Sequence, residues 1–338
     1  MKKTKTFALL FILLFSLAIL EISCTTEENN SDGFLFTPKQ PSPGETIRVT
    51  YSPRENVFQT AEKIQMLAYN YTAGFPKVMA VDMEKQGQSW VGSFASDKDC
   101  YGAAVKFKAG EEIDNNQKTG YFIPFYADDG TLIAGARAGQ GEAIASWGDL
   151  LMDTERDAAK ALSLFDEEFL SHPEMKKTFL YAYIRALIEV KPEGWEETAL
   201  AAADSAASEA DLDEDTMNTL VNCYRQLKKK DKMEDMVNRA KEKFPQGYQA
   251  QSSRFQEFNQ VKDLKEKTNL FEKFKTNFPE SNMINTMAYY MVRGYLSSGE
   301  IDELKMFIKE NPDIKESYVY SMAASQLLEK KKELDFAA

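Results

Sequence analysis

The chain of 338 residues has one histidine, His172, and three cysteines, Cys24, Cys100 and Cys223. No two cysteines form a CxxC pair, so neither a thioredoxin-type dithiol nor a zinc knuckle can be written. A single histidine rules out most Ser-His-Asp triads and most histidine metal sites. The one glycine-rich stretch, "GARAGQG" (Gly135–Gly141), lacks the pattern and the strand–helix setting of a phosphate loop. Carboxylate pairs remain available for acid–base work, but 53 acidic residues always supply pairs and nothing singles one out. Basic residues form no dominant cluster. Net charge is −12; Lys2, Lys3, Lys5 and Glu21 give residues 1–23 a charge of +2, which leaves −14 for the remainder. An acidic body repels nucleic acid, so no such partner is expected. These absences predict a non-enzyme with no cofactor and no metal. His172, in "SHPE", is expected at a helix start, where Ser171 and Glu174 have capping-box spacing and Pro173 suits the first turn.

What is present begins with an address. Behind the three lysines, an apolar run from Phe7 to Leu20 has the pattern of a secretory signal, and cleavage after Ala18 is one reading of it. The run ends at "LEISC", however, and Cys24 after the small Ser23 resembles the lipobox of bacterial lipoproteins, with Glu21 departing from that family's aliphatic preference. The resemblance implies that Cys24 is acylated and becomes the new N-terminus. The following "TTEENNSDG" is too polar to pack and suits a tether over 24–33. Glu27 and Glu28 resemble the surface-export signal of Bacteroidota lipoproteins, which implies an outer-membrane lipoprotein, periplasmic or surface-exposed.

Residues 34–138 carry short apolar runs broken by turns, the spacing of an immunoglobulin-like β-sandwich of about seven strands. In "TIRVTYS", Ile47, Val49 and Tyr51 alternate onto one face. "KIQMLAYNY", "KVMAVDM", "SWVGSF" and "AAVKFKAG" read as further strands, and "GYFIPFYADDGTLIAGARA" as a hairpin turning at Asp129–Gly130. The domain is dense in aromatics. Trp90, Tyr121 and Tyr126 are candidate glycan-stacking residues, an arrangement similar to carbohydrate-binding modules, although so small a domain also needs rings for its core. Asp114–Asn116 with Asp128 and Asp129 offer hard oxygen ligands for Ca²⁺, but Asx residues are ordinary turn formers and turn chemistry is the preferred reading.

After a glycine-containing linker (139–153), residues 154–338 change to a 3.6-residue apolar period. Leu180, Ile184, Leu187 and Ile188 form one stripe, and Met217, Leu220, Val221, Tyr224 and Leu227 another. "AKEKFP", "FKTNFP" and "FIKENP" close on Pro245, Pro279 and Pro312, 34 and 33 residues apart. One-sided helices this short must be covered by neighbours, which predicts stacked helix pairs. "SSGEIDELKMFIKENP" (Ser297–Pro312) resembles tetratricopeptide-type (TPR) repeats, with most of that family's Trp, Gly and Ala positions unmatched. "DSA" (Asp204–Ala206) and "DTM" (Asp215–Met217) look like the O-glycosylation acceptor signal of Bacteroidota. Cys223, inside a stripe, is expected to be a buried, inert thiol.

Lipobox, tether, β-sandwich and TPR-like helices in this order resemble Bacteroidota lipoproteins whose fuller members end in a thioredoxin-like domain of the TlpA type. With no CxxC, the redox activity of those members does not carry over. The resemblance implies a non-catalytic, lipid-anchored scaffold of the cell envelope, held to the membrane by its lipid, that binds a protein partner through its helical repeats. The alternative is a surface lipoprotein that binds polysaccharide through the β-sandwich.

Overall fold

The computed structural model describes residues 33–54, 56–312, 314, 321, 323–325 and 328, so Cys24 and its surroundings lie outside the described residues. The chain is α+β, with antiparallel sheets first and helices after. The first part comprises β1 (Phe34–Thr37), β2 (Thr46–Tyr51), the single turn α1 (Asn56–Gln59), β3 (Gln65–Tyr71), β4 (Lys77–Asp82), β5 (Glu84–Gln86), β6 (Ser89–Ala95), β7 (Gly102–Ala109), β8 (Glu112–Asp114) and β9 (Tyr121–Pro124). One sheet runs β1-β2-β6-β5; the other runs β4-β3-β7-β8, with β9 also paired to β7. Alternation decides the faces. Ile47, Val49 and Tyr51 of β2 are buried while Thr46 and Arg48 are exposed. They meet Met66, Ala68, Val105 and Phe107 of the second sheet in a shared core, where the Tyr51 and Phe107 rings stack at 3.7 Å.

Among the described residues there are nine strands where about seven were expected. The short β5 and β8 are mostly exposed and carry no apolar alternation to betray them. The expected long hairpin over residues 120–138 is cut down. After β9 only Tyr126 and Leu132 bridge, around a turn in which Gly130 takes φ 81°.

The stretch expected as a linker is helical and largely buried: α2 (Ala136–Glu142), a π-helical turn (Ala143–Trp147) and α3 (Gly148–Leu151) run end to end. Its glycines serve close packing. A Cβ on Gly139 would sit 2.9 Å from the Tyr71 ring, and one on Gly141 would sit 3.1 Å from the Ala161 carbonyl oxygen. Leu67, Tyr69 and Tyr71, on the face of β3 turned away from the first sheet, pack with these helices, so the second sheet is covered on both sides.

The remaining helices are α4 (Ala158–Ser171), α5 (Met175–Thr178), α6 (Leu180–Val190), α7 (Trp195–Ala207), α8 (Glu214–Gln226), α9 (Lys230–Lys243), α10 (Tyr248–Gln260), α11 (Leu264–Asn277), α12 (Met283–Ser298) and α13 (Ile301–Glu310). Four successive pairs begin at Leu180, Glu214, Tyr248 and Met283, at intervals of 34, 34 and 35 residues. Pro245, Pro279 and Pro312 each follow the last residue of α9, α11 and α13 by two, and the proline ring forbids continuation. Asp157, Asp213 and Asp263 cap α4, α8 and α11 by accepting backbone N–H groups. The expected capping box at Ser171 does not form. Ser171 is the last residue of α4, its hydroxyl donates back to the Glu167 carbonyl, and His172 terminates that helix.

Burial divides the helices in two. One core runs from the outer face of β3 through Phe165, Tyr183, Leu220 and Tyr224 to Ala240, and a separate one gathers Phe258, Phe271, Met291 and Leu304. The two cores part between α9 and α10, where a cleft of about 500 Å³ opens, lined by Lys241, Pro245, Arg254 and Phe278 among others.

Candidate functional site

The candidate sugar-stacking residues come first. Trp90 is 2% exposed and Tyr121 8%, both within the core between the sheets. The Tyr121 ring lies 4.7 Å from Phe34, and its hydroxyl donates to the Asp114 carboxylate. Neither presents a ring face to solvent, which corrects the expectation of a platform: the β-core needed the rings. Tyr126 is half-buried beside its bridge partner. The candidate oxygen ligands are engaged in turns. Asp114 accepts the Asn116 N–H at 2.9 Å, and Asp129 accepts the N–H and hydroxyl of Thr131 at 2.9 and 2.6 Å. Among the described residues no group of His, Cys, Asp and Glu is placed to hold a metal ion.

The remaining thiols are poor nucleophiles. Burial pushes Cys100 up to about 11 and Cys223 up to about 12, far from the thiolate form at neutral pH. His172 pairs with Glu174 at 3.5 Å on the surface. Of the acceptor-like triplets, Ser205 lies exposed on α7, whereas the N–H of Thr216 is bonded in the cap of α8.

The joint between sheets and helices gathers the buried charges, which sequence reasoning missed. Glu168 of α4 is fully buried and accepts the N–H groups of Gly135 at 2.8 Å, Arg137 at 2.8 Å and Ala138 at 3.3 Å. A carboxylate thus satisfies the open N-terminus of α2 from a neighbouring helix. Glu142, where α2 meets the π-helical turn, accepts the Gly74 N–H at 3.0 Å. Burial raises its carboxyl from 4.5 to about 7, against the opposing pull of the Gly74 N–H and the Arg185 guanidinium. These groups brace two parts of the chain. No local motif flags Glu168 in the sequence, because its partners lie some thirty residues earlier.

The other feature is a surface. α6 packs on α8, α8 on α10 and α10 on α12, so the first helices of the pairs lie side by side. Polar and ring contacts trace their common face: Gln226 donates to the Tyr181 hydroxyl, Gln249 to the Asn218 side-chain oxygen at 2.8 Å, and Phe255 meets Tyr290 at 6.4 Å. Charge is partitioned between the two sets. The sixteen residues of α12 include one charged side chain, Arg293, whereas α9 is an alternation of lysines and acids. No protein-family model matches this chain, and no curated protein matches it.

Proposed function

We propose that the chain is a non-catalytic scaffold of the cell envelope, lipid-anchored at Cys24, that binds protein partners. In this reading the two sheets are an immunoglobulin-like β-sandwich and the helix pairs a TPR-like solenoid whose first helices line the binding face. One observation carries it: helix pairs recur every 34 to 35 residues and leave a charge-poor, amide- and aromatic-bearing face. Repeats of this kind stack to make extended surfaces rather than enclosed sites. The reading is tested by cross-linked capture from native cells with the tagged full chain, beside a Tyr181→Ala/Tyr290→Ala variant. A discrete partner held by the native chain and lost from the variant is the expected result. Empty capture together with retention of the native chain by polysaccharide would transfer the function to glycans.

A further inference from the structure

Two arginines on the otherwise charge-poor first-helix face stand apart from any acid among the described residues. Arg225 on α8 and Arg293 on α12 are both exposed, and no carboxylate among the described residues lies within ion-pair distance of either; Arg225 bonds only the Asn222 amide. The acids of α8, Glu214 and Asp215, occupy its first turn, at the other end of the helix from Arg225. Glu257 of α10 pairs with Arg254, and Glu189 of α6 with Arg156. The helix dipole accounts for a cation in the last turn of α8 but not for Arg293, which lies five residues short of the end of α12.

Geometry sets a spacing. Connections of three to five residues reverse the chain at each step, so α8, α10 and α12 run the same way, and both arginines sit toward their C-terminal ends. Packed helices lie 8–10 Å apart, which separates the two guanidinium groups by about 20 Å across α10. An extended chain rises about 3.3 Å per residue and covers that distance in about six residues. Between them on α10, the half-buried Phe255 meets the exposed Tyr290, which lies one turn before Arg293 on α12. Arginine forks match carboxylates in a way that lysine does not.

Resting on the scaffold reading, we infer that this face receives an extended acidic polypeptide segment with two carboxylates about six residues apart, one on Arg225 and one on Arg293, and an apolar side chain between them over Phe255 and Tyr290. Beyond the Debye length, about 8 Å at physiological salt, the acidity of the body is screened, so the local arginines decide binding.

Fluorescence anisotropy on the full chain tests this with a labelled ten-residue synthetic peptide of Gly and Ser carrying two glutamates six positions apart and, on the same face of the extended chain, a leucine two positions from one of them. Binding is expected to fall about three- to tenfold for Arg293→Gln, the range for losing one partly solvated charge-assisted contact. It should fall similarly when either glutamate becomes glutamine. The Arg225→Glu/Arg293→Glu variant should reject this peptide and bind its two-lysine counterpart. Both positions are exposed, so an unchanged thermal unfolding curve confirms the variant's fold. The inference is overturned if the native chain fails to bind the glutamate peptide or binds its glutamine analogue equally well. It is also overturned if the chain is retained by a neutral polysaccharide in a manner lost with Tyr290→Ala but indifferent to the arginines. A native partner still captured by the Glu/Glu variant would sink the inference and leave the scaffold reading standing.

Discussion

At the scale of single residues, two carboxyls at the joint act on stability in opposite directions, the fully buried Glu168 and the half-buried Glu142. Glu168 is fully buried with three backbone donors, so Glu168→Ala strands the N–H groups of Gly135, Arg137 and Ala138. Leaving buried donors unpaired costs about 1–3 kcal/mol each, and partial relaxation should hold the total near 3 kcal/mol. Urea denaturation reads this directly, and a loss below about 1 kcal/mol would mean the cap contributes little. Glu142 acts through pH. Its folded pKa of about 7 lies above the ordinary 4.5, so the folded chain binds the proton more tightly than the unfolded one. The resulting stability is fully present below about 4.5 and is lost as pH rises through 7. Glu142→Gln keeps an acceptor for the Gly74 N–H and cannot ionise. The variant should therefore gain melting temperature relative to native between pH 5 and 8, with the difference flat above 8. A difference that does not change with pH would show that the burial is not felt.

At the scale of elements, period and punctuation were readable and partnership was not. The alternation of β2 and the stripes of α6 and α8 follow from residue order alone, and the residues they indicate are buried except Ile188 and Leu227, which are half-buried near the helix ends. Three helix pairs announced themselves through prolines. The fourth, α6–α7, has the same interval but closes on Ser208 without a proline, so no punctuation revealed it. Gly139 and Gly141 looked like linker residues because a sequence does not say whether a glycine is there for freedom or for lack of a Cβ. Tyr71 and Ala161, which decide the matter, are distant in the chain or on another helix. The rings of Trp90 and Tyr121 were ambiguous for the same reason. Aromatic content signals area to bury or to expose, and only the pairing of the sheets says which. The break between the two helical cores was likewise invisible, since each helix on either side of it is amphipathic. It has a consequence. The region from α10 onward buries its own apolar cluster, separate from the one that ends at α9. Native-state hydrogen exchange should find the amides of α10 to α13 opening together, at lower free energy than those of α4 to α8. Uniform protection across both groups would show that the helices unfold as one unit.

At the scale of the whole molecule, the acidity and the mode of attachment have to be reconciled. Among the described residues no helix is long and apolar enough to cross a membrane. The body carries −14 beyond residue 23 and its basic residues form no dominant cluster, so anionic headgroups offer it no polybasic hold. In the proposed reading, attachment rests on acyl chains at Cys24, each buried methylene contributing about 0.8 kcal/mol and more than one chain being needed for stable anchoring. The polar segment after Cys24 would then set the body off from the surface. In that reading, Cys24→Ala removes the anchor. The variant should keep the native unfolding curve while moving from the membrane pellet to the soluble fraction. A wash in 1 M salt, where the Debye length shrinks to about 3 Å, separates the two modes of attachment, because it releases proteins held by charge and leaves those held by lipid. Native protein should survive the wash in the pellet. If the alanine variant survives it as well, the attachment lies in another part of the chain or in a partner, and the lipid anchor has no place in the function of the molecule.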